Sequence, residues 1–388
     1  MRFIFFDFCI LNFYDINMRV ALYRKYRPKN LSEVLGQETT VEILKNAAIQ
    51  NKIGHAYIFY GSRGTGKTTT ARILAKILNC DKRHNDPEFQ KLGEPCNECQ
   101  SCKAIDNNSS LDIIEIDAAS NRGIDEIRNL KENISVSPSG GKFKVYIIDE
   151  VHMLTGPAFN ALLKTLEEPP RHAVLILATT EYEKLPATIT SRAQRFLFKK
   201  ISKIKILEKL KEIAQNEKIN ITEDALELVA LAADGSLRDA ESILDQISGY
   251  PSKIDLEVAE RLIGRAGLKV IEHLSELILK NNLNTSLMYL KELNSEGYNV
   301  SLITKDLIHY LRKVLSLHFN PELESVFREE LTLEEINHLK SLAKIADPNR
   351  LIPFLKSLIR AYAEIRYSPF AFIPLEIALI EYFENKKV

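Results

Sequence analysis

Tryptophan is absent from the 388-residue sequence, and glycine (15), proline (14), cysteine (5) and methionine (4) are sparse. So little glycine and proline, without a repeat, excludes a collagen-like or low-complexity chain. Neither sign of charge is in excess: 52 Lys and Arg against 52 Asp and Glu give a formal net charge of 0, which excludes a wholly basic nucleic-acid coat. Long apolar runs are missing too. The apolar opening is broken by Asp7 and Asp15, far short of the roughly 20 residues of a membrane span, so no membrane partner is expected. Its one early cation, Arg2, and the lack of a small-residue cleavage site argue against a secretory signal and for a cytoplasmic chain. Residues 1–18 read as an N-terminal extension, which a misplaced start would explain, with Met18 then the natural first residue. No cysteine follows Cys102, and four of the five fall between 80 and 102, which points to metal before disulfide.

The remaining composition, 45% hydrophobic and 27% charged, is that of an ordinary globular protein, long enough for two or three domains. In the first half, β-branched or aromatic runs alternate with helical patterns, the mark of an α/β domain with a parallel sheet. Strands are expected at Tyr57–Tyr60, Asp112–Ile116, Lys144–Asp149, Val174–Ala178 and Arg195–Phe198. A helix opens near Pro157, carries Phe159, Leu162, Leu163 and Leu166 as an apolar stripe, and stops at Pro169-Pro170. Beyond about residue 201 every pattern is helical. Gly235 ends one helix there, and Ser236 with Asp239 forms a capping-box pattern for the next. Val270, Leu274, Leu277 and Ile278, then Ile303, Leu307, Leu311 and Val314, mark amphipathic helices. The expected division is 19–200 (α/β), 201–265 (small helical) and 266–388 (all-α).

Gly61-Ser62-Arg63-Gly64-Thr65-Gly66-Lys67-Thr68 matches G-x-x-x-x-G-K-[ST], after an expected strand and before an expected helix. Glycines let successive N–H groups point at phosphate oxygens beside the positive end of the helix. Lys67 suits the β and γ phosphates of ATP, Thr68 a Mg²⁺, and Thr69 completes the binding segment. A chance Gly-rich turn is the bland alternative, and the flanking strand and helix argue against it. The strand Val145–Asp149 ends in Asp149-Glu150, where ligands meet parallel sheets; Asp149 suits the Mg²⁺ shell and Glu150 the polarisation of an attacking water. Alone, such an acidic pair is more often a cap or a solvated turn.

Cys80, Cys96, Cys99 and Cys102 offer four thiolates, enough for a closed, structural Zn²⁺ site pinning the loop after the phosphate-loop helix. Free thiols, or His84 in place of Cys80, are the alternatives. Thr179 and Thr180 end a strand, which could bring a hydroxyl to a γ phosphate although Thr at a strand end is mostly structural; Arg192 precedes another strand, where an isolated Arg is usually a surface charge; and Arg238 stands in the first turn of its helix, where a cation opposes the macrodipole.

These motifs together resemble the gamma/tau subunit family of bacterial DNA polymerase III, the ATP-driven motors of the sliding-clamp loader within the AAA+ superfamily. The resemblance runs from about Met18 to the C-terminus. It rests on Tyr23–Pro28, Val34–Glu38, the phosphate loop, the four cysteines, Glu115–Ser120, Asp149–Leu154, Asn160–Pro170, Ala178–Glu181, Ser191-Arg192 and Gly235–Ala240. It implies an AAA+ ATPase domain with a zinc-binding insertion, a helical lid and an all-α collar that holds a hetero-oligomeric ring. Thr180 would sense the γ phosphate and Arg238 would be a second sensor. Arg192 would be an arginine finger for a neighbour's ATP, and the Arg24–Arg27 segment with Val34-Leu35 would wall the adenine pocket. Other clamp-loader subunits, the sliding clamp and primed DNA are the implied partners, with DNA replication as the process. Ala193 stands where the family usually has Cys, and the chain stops at Val388 without the Pro-rich linker of the long tau form. No pattern for nucleotidyl transfer is present; DNA-directed DNA polymerase activity would belong to the assembled holoenzyme. Arg122-Gly123 is a candidate DNA contact. A nucleotide-holding scaffold without hydrolysis and a branch-migrating AAA+ motor are the competing readings.

Overall fold

The computed structural model describes residues 20–121, 123, 130, 133–264, 267–328 and 331–384. The extension 1–18 and Arg122 lie outside the described residues.

All five expected strands are present, each end within one residue of its expected place: β1 (Ala56–Gly61), β2 (Ile113–Asp117), β3 (Lys144–Asp149), β4 (Ala173–Thr179) and β5 (Gln194–Phe198). They pair in parallel in the order β2-β3-β4-β1-β5. β4 is buried along its whole length, which is why its sequence is a continuous apolar run rather than an alternating one. One face of the sheet packs on the helices Glu38–Ile49 and Lys67–Asn79 through Leu44, Leu74 and Ile77. The other face packs on Gly156–Glu167 through Phe159, Leu162 and Leu166. Register brings the carboxyl ends of the strands level: Tyr60 lies beside Thr179, Gly61 beside Phe198, and Asp117 beside Asp149.

Past β5 the described residues are helical apart from an isolated bridge between Ile221 and Ile254. Helices Lys203–Asn216, Glu223–Ala232, Leu237–Ile247 and Leu256–Ile263 share one core, into which Leu22 from the N-terminal segment also inserts. Gly235 turns the chain at φ +84°, and Ser236 Oγ accepts from the Asp239 N–H at 3.2 Å, one half of the expected capping box. The last group runs from Leu268 to Glu384 and has a separate core. Leu274, Ile278, Ile303, Leu307, Leu311 and Val314 are buried in it, with Val270 half-buried against its edge. One carboxylate touches all three parts: Asp234 meets Lys200 Nζ at 2.9 Å and Lys305 Nζ at 3.1 Å. No described helix is long and apolar enough to cross a membrane.

Candidate functional site

The loop after β1 wraps the start of the Lys67–Asn79 helix. Gly61 at φ +140° lies so close to β5 that a Cβ would fall 2.1 Å from the Phe198 carbonyl oxygen. Gly64, at φ +71°, lies against the first turn of the Leu237–Ile247 helix, where a Cβ would meet Ser236 Oγ at 1.8 Å. The Leu237 N–H donates to the Gly64 carbonyl at 3.1 Å, so loop and helix start are joined by a peptide hydrogen bond.

Lys67 is buried and folds back on the loop, donating to the carbonyls of Gly61 (2.8 Å) and Ser62 (2.7 Å). Burial lowers its pKa, while Glu150 and Asp149 oppose that shift. Thr68 Oγ1 donates to Asp149 Oδ2 at 2.7 Å, putting two hard oxygen ligands side by side at the mouth of the loop. Glu150 follows in a left-handed conformation, φ +46° and ψ +44°, which is strained for a residue with a Cβ. Its Oε2 accepts from the Thr180 N–H at 3.2 Å and the Thr180 hydroxyl at 2.9 Å. His152 Nδ1 lies 2.9 Å from Thr179 Oγ1 and 3.4 Å from Glu150 Oε2, and its Nε2 lies 3.2 Å from Glu181. Sequence reasoning gave His152 no part here.

Above these groups an open cleft runs between the sheet and the Leu237–Ile247 helix. Arg63, Gly64, Thr65, Gly66, Lys67, Thr68, Thr69, Asp149 and Glu150 line one end. Val34, Leu35, Ile201 and Leu237 line an apolar stretch. Arg238 lines it too, with its guanidinium 5.0 Å from the Tyr23 ring centre. Glu241, one turn past Leu237, is 4% exposed and was missed from sequence. Thr180 reaches the site through Glu150, whereas Arg192 is not among the cleft residues. It lies in a separate groove with Gly54, His55 and Glu167, ion-paired to Glu167 at 2.8 Å.

The cysteines converge. All four Sγ atoms lie within 4.8 Å of one another, Cys80 and Cys102 fully buried. Backbone N–H groups of Cys96, Cys99 and Cys102 point at the sulfurs of Cys80, Cys96 and Cys99 at 3.3–3.5 Å. The Cys102 thiol, and after it the Arg83 and Cys96 N–H groups and the Cys96 thiol, favour the Cys80 thiolate against the opposing effect of burial. His84 stands apart, bonded through Nε2 to the Leu78 carbonyl at 2.7 Å.

Residues 36–202 match a family model described as DNA polymerase III, delta subunit; 205–248 match the DNA polymerase III clamp loader subunit, ATPase lid domain; and 254–387 match DNA polymerase III subunits gamma and tau domain III. The DNA polymerase III subunit gamma of Buchnera aphidicola subsp. Schizaphis graminum is 34% identical over 93% of this chain and 97% of its own length. The chain belongs to the gamma/tau family of DNA polymerase III subunits. Within that family it is 42% identical to the Bacillus subtilis tau subunit and 35% identical to the Escherichia coli tau subunit, each over 93% of this chain. It spans 62% and 54% of the length of those two longer relatives. Among solved structures, the Bacillus subtilis DNA clamp loader delta protein aligns over 88% of this chain and 99% of its own at 15% identity, with a TM-score of 0.39. The parallel α/β core, the lid and the all-helical C-terminal region are those of a clamp-loader ATPase family member.

Proposed function

We propose that this chain is an ATP-hydrolysing motor subunit of a bacterial clamp loader. It would work in the cytoplasm with other loader subunits in a hetero-oligomeric ring that places a sliding clamp on primed DNA. The observation that carries this reading is the meeting of three groups at the level ends of β1, β3 and β4: the phosphate loop with Lys67, the Thr68–Asp149 oxygen pair, and Glu150 held by Thr180. Residues 19–200 form the ATPase part, 201–265 the lid and 266–388 the collar.

Lys67 exchanges its two carbonyl partners for the β and γ phosphates, and the loop N–H groups receive the remaining charge. Thr68 and Asp149 would hold Mg²⁺, which when bound neutralises charge between those phosphates. Glu150 orients the attacking water and Thr180 senses the γ phosphate. Arg238 reaches the nucleotide from the lid, and Arg192 acts across an interface on a neighbour's ATP. Zn²⁺ would be held by Cys80, Cys96, Cys99 and Cys102: a tetrahedral shell with Zn–S near 2.3 Å puts sulfurs roughly 3.8 Å apart, compatible with the observed cluster. With no open position such a site is structural.

Equilibrium ATP binding and turnover on two variants test the reading. Lys67→Ala should lose most ATP affinity, whereas Glu150→Gln should bind ATP normally and hydrolyse almost none. A wild-type chain that binds ATP but never hydrolyses it, even with loader subunits, clamp and primed DNA, would instead be a scaffold.

A further inference from the structure

Glu241 is a carboxylate of the cleft that the phosphate chemistry does not use. It follows Leu237 by four positions on the Leu237–Ile247 helix, so both present the same helix face to the cleft. Its Oε1 is fully buried without a hydrogen-bond partner, a costly arrangement for a carboxyl group. Two cations lie near enough to act on it, Lys209 and Arg27. Lys209 is already committed to Glu212 at 2.9 Å, and Arg27, like Glu241, lines the cleft.

The cleft has a polar end and an apolar stretch. Val34, Leu35, Ile201, Leu237 and Glu241 line the same cleft as the phosphate loop, so a triphosphate on the loop leaves these residues to meet the base. We propose that Glu241 is a base-recognition residue, accepting the exocyclic 6-amino group of adenine and so making the site prefer ATP to other purine triphosphates. Burial pushes the carboxyl up to about 7, against the pull of Lys209 and Arg27. The neutral acid is therefore available near neutrality, offering a donor beside an acceptor. That pairing matches the amino group and ring nitrogen on an adenine edge, as the amide of Asn or Gln does in DNA readout. The inference rests on the proposed nucleotide site and adds to it the group that selects the base.

The test is equilibrium binding, in Mg²⁺ buffer at neutral pH, of ATP and of purine riboside triphosphate, which lacks only the 6-amino group. The proteins are the full-length wild type, Glu241→Gln, Glu241→Leu and Glu241→Met. Wild type should prefer ATP by about three- to tenfold, the worth of one hydrogen bond. The Gln variant should keep that preference, since its amide retains an acceptor and a donor. The Leu and Met variants should bind both triphosphates about equally, at the wild-type affinity for the purine analogue. Either apolar variant suffices if the other fails to fold. A full ATP preference in an apolar variant, or none in wild type, overturns the assignment and leaves the nucleotide site standing. Binding of neither triphosphate to wild type overturns the site itself.

Discussion

Thr180 holds Glu150 by two hydrogen bonds to a single oxygen, its N–H at 3.2 Å and its hydroxyl at 2.9 Å, although 30 residues separate them in the chain. The carboxylate proposed to orient water is thus fixed by the residue proposed to sense the γ phosphate. Removing the hydroxyl should disturb catalysis more than binding. Thr180→Ala is expected to lower kcat by about 10², the usual cost of one positioned donor, with ATP affinity changed less than about threefold. Thr180→Ser should recover most of the rate. Single-turnover hydrolysis beside equilibrium binding reads both, and an unchanged kcat in the Ala variant would remove Thr180 from the mechanism.

Arg192 donates within its own chain to Glu167 at 2.8 Å and to the Thr188 carbonyl at 2.8 Å, outside the cleft. A finger supplied from a neighbour contributes roughly 10³ to 10⁵ in turnover, so the isolated subunit should be a slow ATPase. In a complex assembled from Arg192→Ala chains, each chain should keep its own ATP affinity while clamp- and DNA-stimulated hydrolysis disappears. Mixed assemblies should place the defect in the adjacent site. Stimulated hydrolysis that survives in an all-mutant complex rules out the trans role.

One Zn²⁺ per chain is expected on metal analysis of the purified protein. Cys99→Ser should release it and loosen the 80–102 segment, detected as faster amide exchange there, while ATP affinity holds within about threefold. Zinc retained after two of the four cysteines are replaced contradicts a four-thiolate site.

Asp112 accepts three backbone N–H bonds, from Ser139 (2.7 Å), Gly140 (2.9 Å) and Gly141 (2.6 Å), closing the turn that leads into β3. Burial raises its pKa, but those bonds and Lys144 outweigh it, and the net shift is downward. A depressed folded pKa means the stabilisation is complete above the unfolded value near 4 and is lost as pH falls through the lower folded value. Asp112→Ala should therefore cost roughly 2–4 kcal/mol at pH 7, with the gap to wild type narrowing only in strong acid. Urea unfolding at several pH values measures this; an equal gap at every pH would contradict it.

The sheet was readable because its strands are short apolar runs closed by turn residues, and Lys144–Asp149 matches residue for residue. The phosphate loop was readable because its spacing is itself the chemistry. Contacts across the sheet were not: nothing in the spacing of Glu150, His152 and Thr180 says that they meet, since strand order brings them together. Glu241 carried a signal that was passed over. It lies between Leu237 and Leu244 on an otherwise apolar stripe with Ala240 and Ile247, so a carboxylate there breaks the pattern. The choice between Cys80 and His84 was open because both follow the same helix within five residues, and only the turn at Asp81–Asn85 carries His84 back to Leu78.

Gly64 leaves no room for slack between the loop and the Leu237–Ile247 helix: its missing side chain lets Ser236 sit where a Cβ would be, and a peptide hydrogen bond closes the joint. In a machine this would be a gear mesh without backlash. With no flexible side chain between them, a change of loop shape would be passed directly to the helix. The same helix carries Asp245, which accepts from the Leu22 N–H at 3.2 Å, so the N-terminal segment is tied to the far end of the helix that the loop meets at its start.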